Sequence, residues 1–132
     1  MDITYKTGTV PPVEAIIEVY NSSGLNRPTQ DAARIAHMYR NSNLIISAWD
    51  GDRLVGVARS LTDFCYCCYL SDLAVHEDYK YHGIGKNLIG LTRSAIGDSV
   101  TLLLLSAPGA MGYYPKVGFD AIDNGFIIRR KQ

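Results

Sequence analysis

Near residue 43 the hydrophobic pattern of the chain changes period, and that change decides the class of fold. Upstream, Val13, Ile16, Ile17 and Tyr20 fall at i, i+3, i+4 and i+7, and Ala32, Ile35, Ala36 and Tyr39 repeat the spacing. Each set marks one face of an α-helix. Pro11 and Pro12 suit the first turn of the first helix, Gly24 suits its exit, and the second helix is expected to start near Thr29. Downstream, Leu44 to Trp49 and Leu54 to Leu61 read as strands joined at Asp50-Gly51. After a turn at Thr62-Asp63, Phe64 to Val75 reads as a long third strand. Strands in succession with short turns predict an antiparallel meander, with Met1 to Lys6 as a short strand before the helices.

The helical period then returns. Ile84, Leu88, Leu91 and Ala95 form a stripe that Gly97 ends. Val100 to Leu105 is almost continuously apolar, as expected of a strand covered on both faces. Strand, helix and strand in this order predict a parallel crossover. A short helix is expected from Pro108 to Tyr114, ended by Pro115 and Gly118. A closing hairpin is expected from Phe119 to Ile122 and Gly125 to Arg129. The predicted fold class is α/β, a mixed and mostly antiparallel central sheet with helices on both faces. A chain of 132 residues suits one domain over 1–132, and it buries roughly two-thirds of its unfolded surface without a disulfide or metal staple.

Thirteen basic and thirteen acidic residues cancel, which argues against a dedicated nucleic-acid binder. No apolar run approaches the roughly 20 residues of a membrane span, and Met1 to Val10 lacks the pattern of a secretory signal. Cys65, Cys67 and Cys68 are an odd, clustered set, unsuited to a disulfide framework and consistent with a reducing cytosol. Their C-x-C-C spacing lacks the pairing of a zinc site, and no Cys-His-Asn arrangement accompanies them. A cytoplasmic protein with no metal, nucleic-acid or membrane partner is expected.

The stretch that carries chemistry is Val75-His76-Glu77-Asp78-Tyr79-Lys80-Tyr81-His82-Gly83-Ile84-Gly85-Lys86. A strand enters a glycine-containing loop, and the loop opens a helix. Unpaired N–H groups at a helix start attract anions, and glycine lets a phosphate approach the backbone. Lys80, His82 and Lys86 add positive charge. A dinucleotide fingerprint would need glycine at Leu88. A P-loop would need glycine at Lys80 and Ser or Thr at Asn87. Both nucleotide motifs therefore fail.

Leu73-Ala74-Val75, the glycine loop, and Tyr113-Tyr114-Pro115-Lys116-Val117-Gly118-Phe119 one strand later together resemble the GNAT N-acetyltransferase superfamily. The loop resembles that family's (Arg/Gln)-x-x-Gly-x-(Gly/Ala) motif with Lys80 in first place. The later segment resembles its Phe-Tyr-x-Lys-x-Gly-Phe signature. The resemblance implies an acetyl-CoA site, with backbone groups of Leu73, Ala74 and Val75 along the pantetheine arm. Lys80, Tyr81, His82, Gly83, Ile84, Gly85 and Lys86 would lie around the pyrophosphate. It implies transfer of an acetyl group to a primary amine, on a small molecule or a protein lysine or N-terminus, by direct attack in a ternary complex. Tyr114 matches the general acid, a phenol that protonates the departing thiolate. The family-guided acceptor loop is Asn21 to Arg27, and homodimers are common among small members.

The chain also departs from the pattern. Where some members carry a glutamate base, this chain has Ser71 or Tyr69, and Ala107 replaces a frequent asparagine. Asp72 is the nearest carboxylate and His76 a further candidate, both read more readily as structural residues. Trp49, Phe64, Tyr66 and Tyr69 are expected to pack on the sheet. The second functional reading is an acyl-CoA-binding sensor or regulatory module with little turnover.

Overall fold

Helix α1 (Val13–Ser23) ends where Gly24 takes a left-handed conformation (φ 80°) and returns its N–H to the Tyr20 carbonyl. Pro12 caps this helix from outside rather than sitting in its first turn. Helix α2 (Ala32–Arg40) begins after Asp31, whose carboxylate accepts the Arg34 N–H at 3.1 Å. That cap sets the start three residues beyond Thr29. The protein is described here by a computed structural model covering residues 1–131.

The strands are β1 (Ile3–Thr7), β2 (Leu44–Asp50), β3 (Arg53–Thr62), β4 (Cys67–Val75) and β5 (Thr101–Leu103), with α3 (Ile84–Ile96) between the last two. They form one sheet in the order β1-β2-β3-β4-β5. The first four are antiparallel neighbours, and β4 pairs with β5 in parallel. The apolar stripes of α1 and α2 (Ile16, Val19, Tyr20, Ile35, Tyr39) pack on one face against Ile45, Trp49, Leu54, Val57 and Ala74. Those of α3 (Ile84, Leu88, Ile89, Ile96) pack on the other against Ile46, Val55, Ala58, Cys68 and Leu70. Gly56 lets α3 come this close, since a Cβ there would lie 3.2 Å from both Ile84 Cγ2 and Leu88 Cδ1. Among the described residues no helix is long and apolar enough to cross a membrane.

Two β-bulges interrupt the meander. The second matters for the site: Arg59 pairs with Asp72 and Ser60 with Leu70, so Ser71 is an extra residue in β4. A bulge of this kind bends the strand and increases its local twist.

Four expectations are corrected. β4 starts at Cys67 rather than Phe64. Asp63 accepts the N–H groups of Tyr66 (2.7 Å), Cys65 (2.8 Å) and Cys67 (3.1 Å), and this clasp winds the segment into a turn with Phe64 at φ 58°. The bonds from Tyr66, Cys65 and Cys67 hold the Asp63 carboxyl down at about 2. β5 has three residues and is covered on one face only. Leu102 and Leu104 pack toward α3, but the α1–α2 layer does not reach β5, and Leu103 and Leu105 are exposed. The helix from Pro108 to Tyr114 is replaced by two 3₁₀ turns, Pro108–Ala110 and Tyr114–Val117, in a segment broken by Gly109, Gly112 and Pro115. The hairpin over Phe119 to Ile122 and Gly125 to Arg129 is absent from the described residues. Its apolar alternation meets no neighbouring strand, an isolated two-stranded ribbon is marginal in water, and Phe126 and Ile128 are fully exposed.

Candidate functional site

The sheet opens past Tyr69, next to the Ser71 bulge. β5 pairs only with Cys67, Cys68 and Tyr69, so β4 runs on from Leu70 to Val75 with no strand on its β5 side. Leu73 and Val75 are half-buried toward α3, while Ala74 is buried against the α1–α2 layer. The open edge ends at the loop that enters α3. Gly83 caps this helix in the left-handed region (φ 77°), and the first helical bond is Asn87 N–H to the Gly83 carbonyl at 3.0 Å. The N–H groups of Ile84, Gly85 and Lys86 precede that bond, which leaves them outside the helical ladder. Lys80, Tyr81, His82, Gly83 and Lys86 are exposed. Ile84 is buried, so only its backbone faces this region. Tyr81 holds φ 68°, a strained value for a bulky residue, with its ring wholly in solvent.

Residues far apart in sequence meet over α3's first turn. A Cβ on Gly85 would lie 2.8 Å from the Tyr113 hydroxyl. The obstructing atom is the tip of a partly exposed side chain that can swing aside, and alanine suits a helix better than glycine by about 0.5–1 kcal/mol. Gly85→Ala should therefore change stability by less than about 1 kcal/mol in thermal melts, with or without Tyr113→Phe. A loss of several kcal/mol that Tyr113→Phe recovers would show that the Tyr113 hydroxyl is held rigidly.

Tyr114 is half-buried against the α3-side core, edge-to-face with Tyr113 (centroids 5.3 Å, 74°) and Phe119 (5.5 Å, 80°). Burial, and then the neighbouring Tyr113, push its phenol above the ordinary tyrosine value. It is therefore protonated throughout the neutral range, the state a proton donor needs.

On the opposite face of β4 lies a charged cluster. Asp72 is fully buried and accepts four hydrogen bonds. Oδ1 takes Arg27 Nε (2.7 Å) and Ser71 Oγ (3.0 Å), and Oδ2 takes Arg59 Nε (2.7 Å) and the Tyr20 hydroxyl (2.6 Å). The Tyr20 and Tyr39 hydroxyls are 2.5 Å apart. Burial alone would raise the Asp72 pKa, but the bonds and charge of Arg59, then Tyr20 and Arg27, outweigh it and the carboxyl lies below its usual range. Burial likewise pushes both phenols up, so they stay neutral. Such an anion is a poor proton acceptor, and Asp72 is a structural centre rather than a base. His76 is similarly engaged. Its Nδ1 accepts the Asp78 N–H at 3.2 Å, and Arg53 Nη2 lies 3.1 Å from Nε2.

The sequence carried a signal for this cluster that periodicity alone does not interpret. Arg59 and Asp72 are charges inside apolar strand runs, and such positions demand partners. Trp49 packs as expected, its Nε1 donating to Ser47 Oγ at 2.8 Å. Phe64, Tyr66 and Tyr69 do not pack in the core; they are exposed.

A model of the acetyltransferase (GNAT) domain matches residues 16–128. The chain belongs to the GNAT acetyltransferase family. Among curated relatives, the uncharacterized N-acetyltransferase ycf52-like of Prochlorococcus marinus is 28% identical over 98 residues, 70% of this chain and 54% of that protein. The chain thus spans about half the length of the curated relatives it matches. Solved structures share the GNAT fold. A probable acetyltransferase from methicillin-resistant Staphylococcus aureus superposes with TM-score 0.78 at 23% identity, covering 96% of this chain and 100% of its own. The aminoglycoside N-acetyltransferase AAC(6')-Iy, in complex with CoA, gives 0.73 at 12%, covering 99% and 96%.

Proposed function

We propose that this GNAT chain transfers an acetyl group from acetyl-CoA to a primary amine by direct attack in a ternary complex. The observation that carries the reading is the open β4 edge, Leu70 to Val75, leading to the unpaired N–H groups of Ile84, Gly85 and Lys86. The donor fits this groove on two counts. Leu73, Ala74 and Val75 offer strand backbone for an extended amide-bearing arm, the way an added strand would bind. The α3 N-terminus, with Lys80, His82 and Lys86 around it, suits a pyrophosphate, and Tyr81, Gly83 and Gly85 shape the approach.

Bound acetyl-CoA would supply an acetyl thioester, whose carbonyl carbon forms the new C–N bond as the C–S bond breaks. Tyr114 gives its phenolic proton to the departing sulfur and regains one from solvent. The amine's own proton leaves to water, since Asp72 and His76 are engaged elsewhere. One domain over 1–132, a cytoplasmic location, and no nucleic-acid or membrane partner complete the reading. A homodimer is compatible with it.

A thermal-shift comparison of acetyl-CoA, CoA, NAD and ATP tests the donor site. A ligand at about 100 times its Kd adds roughly 2.7 kcal/mol, on the order of 10 °C for a chain of this size. A rise confined to the CoA compounds is expected. No rise with saturating acetyl-CoA, in a folded sample, would overturn the assignment. The engagement of Asp72 favours one competing reading, an acyl-CoA sensor with little turnover. Thioester consumption with any amine, well above hydrolysis, would eliminate it.

A further inference from the structure

Two guanidiniums share one carboxylate at the bulge. Arg59 and Arg27 both bind Asp72, and no other carboxylate of the described residues lies within 4.0 Å of either. Tyr20 and Tyr39 are neutral, so the cluster keeps a net positive charge in partly desolvated surroundings. A buried or half-buried charge of this kind is costly until an anion meets it.

The surplus is reachable only through Arg27. Arg59 is 8% exposed, and its Nη1 and Nη2 go to Ser42 Oγ and Ser71 Oγ at 3.0 Å each. The Arg27 side chain is 26% exposed. Three of its five N–H donors are spent, on Asp72, the Asn26 carbonyl and the Ser71 carbonyl, each at 2.7 Å. Two donors remain free of these bonds. Arg27 also lines an open cavity of about 430 Å³ formed by residues 26–31. The other charged side chain on that wall is Asp31, whose Oδ1 is occupied as the α2 cap.

Position gives the surplus its meaning. Ser71 is the bulged residue two positions past Tyr69, the last β4 residue paired with β5, and Arg27 holds its carbonyl. A donor entering the gap from α3 would present its acyl end there, and an acceptor would arrive from the α1–α2 face, beside Arg27. We propose that Arg27 is the anion anchor of the acceptor site, and that the acceptor is an amine bearing a carboxylate. This rests on the acetyltransferase reading above. The planar guanidinium suits a carboxylate, and a polycationic acceptor is disfavoured by the same charge.

The test compares amines of near-equal basicity with and without the carboxylate: β-alanine against ethylamine, and 4-aminobutyrate against propylamine. 2-Aminoethylphosphonate separates carboxylate from phosphonate recognition. The carboxylated member should lead in kcat/KM by about 10- to 100-fold, the range of a charge-assisted hydrogen bond. Arg27→Gln should collapse that ratio toward one, and Arg27→Lys should retain part of it. Melting curves of both variants establish that they are folded, and the wild-type ratio stands without them. Equal or better use of the bare amines or of spermidine, or a preference for the phosphonate, overturns the proposal while leaving the acetyltransferase reading intact. If no amine is turned over, that reading fails instead. Titration of 4-aminobutyrate and propylamine into the protein then decides the anchor separately: selective binding of the first supports it, and no preference overturns it.

Discussion

Asp72→Asn should destabilise the fold by about 3–5 kcal/mol, the cost of leaving buried charges without their counter-ion. Asparagine keeps the shape but removes the charge that Arg59 and Arg27 share, and one of its two acceptor oxygens becomes a donor facing a guanidinium. The loss spreads over four elements, because Asp72 on β4 holds β3 through Arg59, α1 through Tyr20, and the α1–α2 loop through Arg27. Denaturant unfolding at neutral pH reads it directly. A loss below about 1 kcal/mol would mean that the cluster contributes little net stability, as replaceable buried ion pairs do. The pH dependence follows in sign. The Asp72 pKa is lower in the folded chain than its unfolded value of about 3.9. Its contribution is therefore full above that value and is lost as pH falls through the folded pKa. Wild type and variant should converge in acid.

Tyr114→Phe should lower kcat by about 100-fold or more, the usual worth of a positioned general acid. The ring keeps its edge-to-face contacts with Tyr113 and Phe119, so packing and the thermal shift produced by acetyl-CoA should survive. Because burial and the neighbouring Tyr113 raise the phenol above its ordinary value, wild-type kcat should show no loss of the acid form across the neutral range. The variant should lack the decline that wild type shows beyond it. Equal turnover in the two proteins across the pH range would remove Tyr114 from the mechanism.

Much of the fold was legible because it rests on local rules. The three helices carry their stripes at helical spacing, Gly24 and Gly97 mark two exits, and Asp50-Gly51 marks a hairpin turn. The parallel crossover from β4 to β5 followed from element order. The glycine loop was legible as an anion-binding helix start, because backbone geometry there depends on few residues. What escaped depends on neighbours. Asp63 draws three N–H groups into a turn that β-rich residues Phe64, Cys65 and Tyr66 would not otherwise make. The alternation of Phe119 to Arg129 promised a hairpin, but alternation specifies only a face and never supplies the edge a strand must join. The Ser71 bulge leaves no mark in a sequence whose alternation it resets. The Arg27–Asp72 pair spans 45 positions of the chain, beyond the reach of any local pattern.

That bulge separates what the sheet needs from what the buried charges need. Leu70 faces α3 and Asp72 faces α1, with Ser71 inserted between them. A chain one residue shorter at this point would join Leu70 to Asp72 with each side chain still on its own face and the ladder to β3 unbroken. It would make a more regular sheet. It would also lose the carbonyl that Arg27 holds and the hydroxyl that binds both Arg59 and Asp72. One surplus residue, outside the ladder, thus ties the two guanidiniums and their carboxylate together.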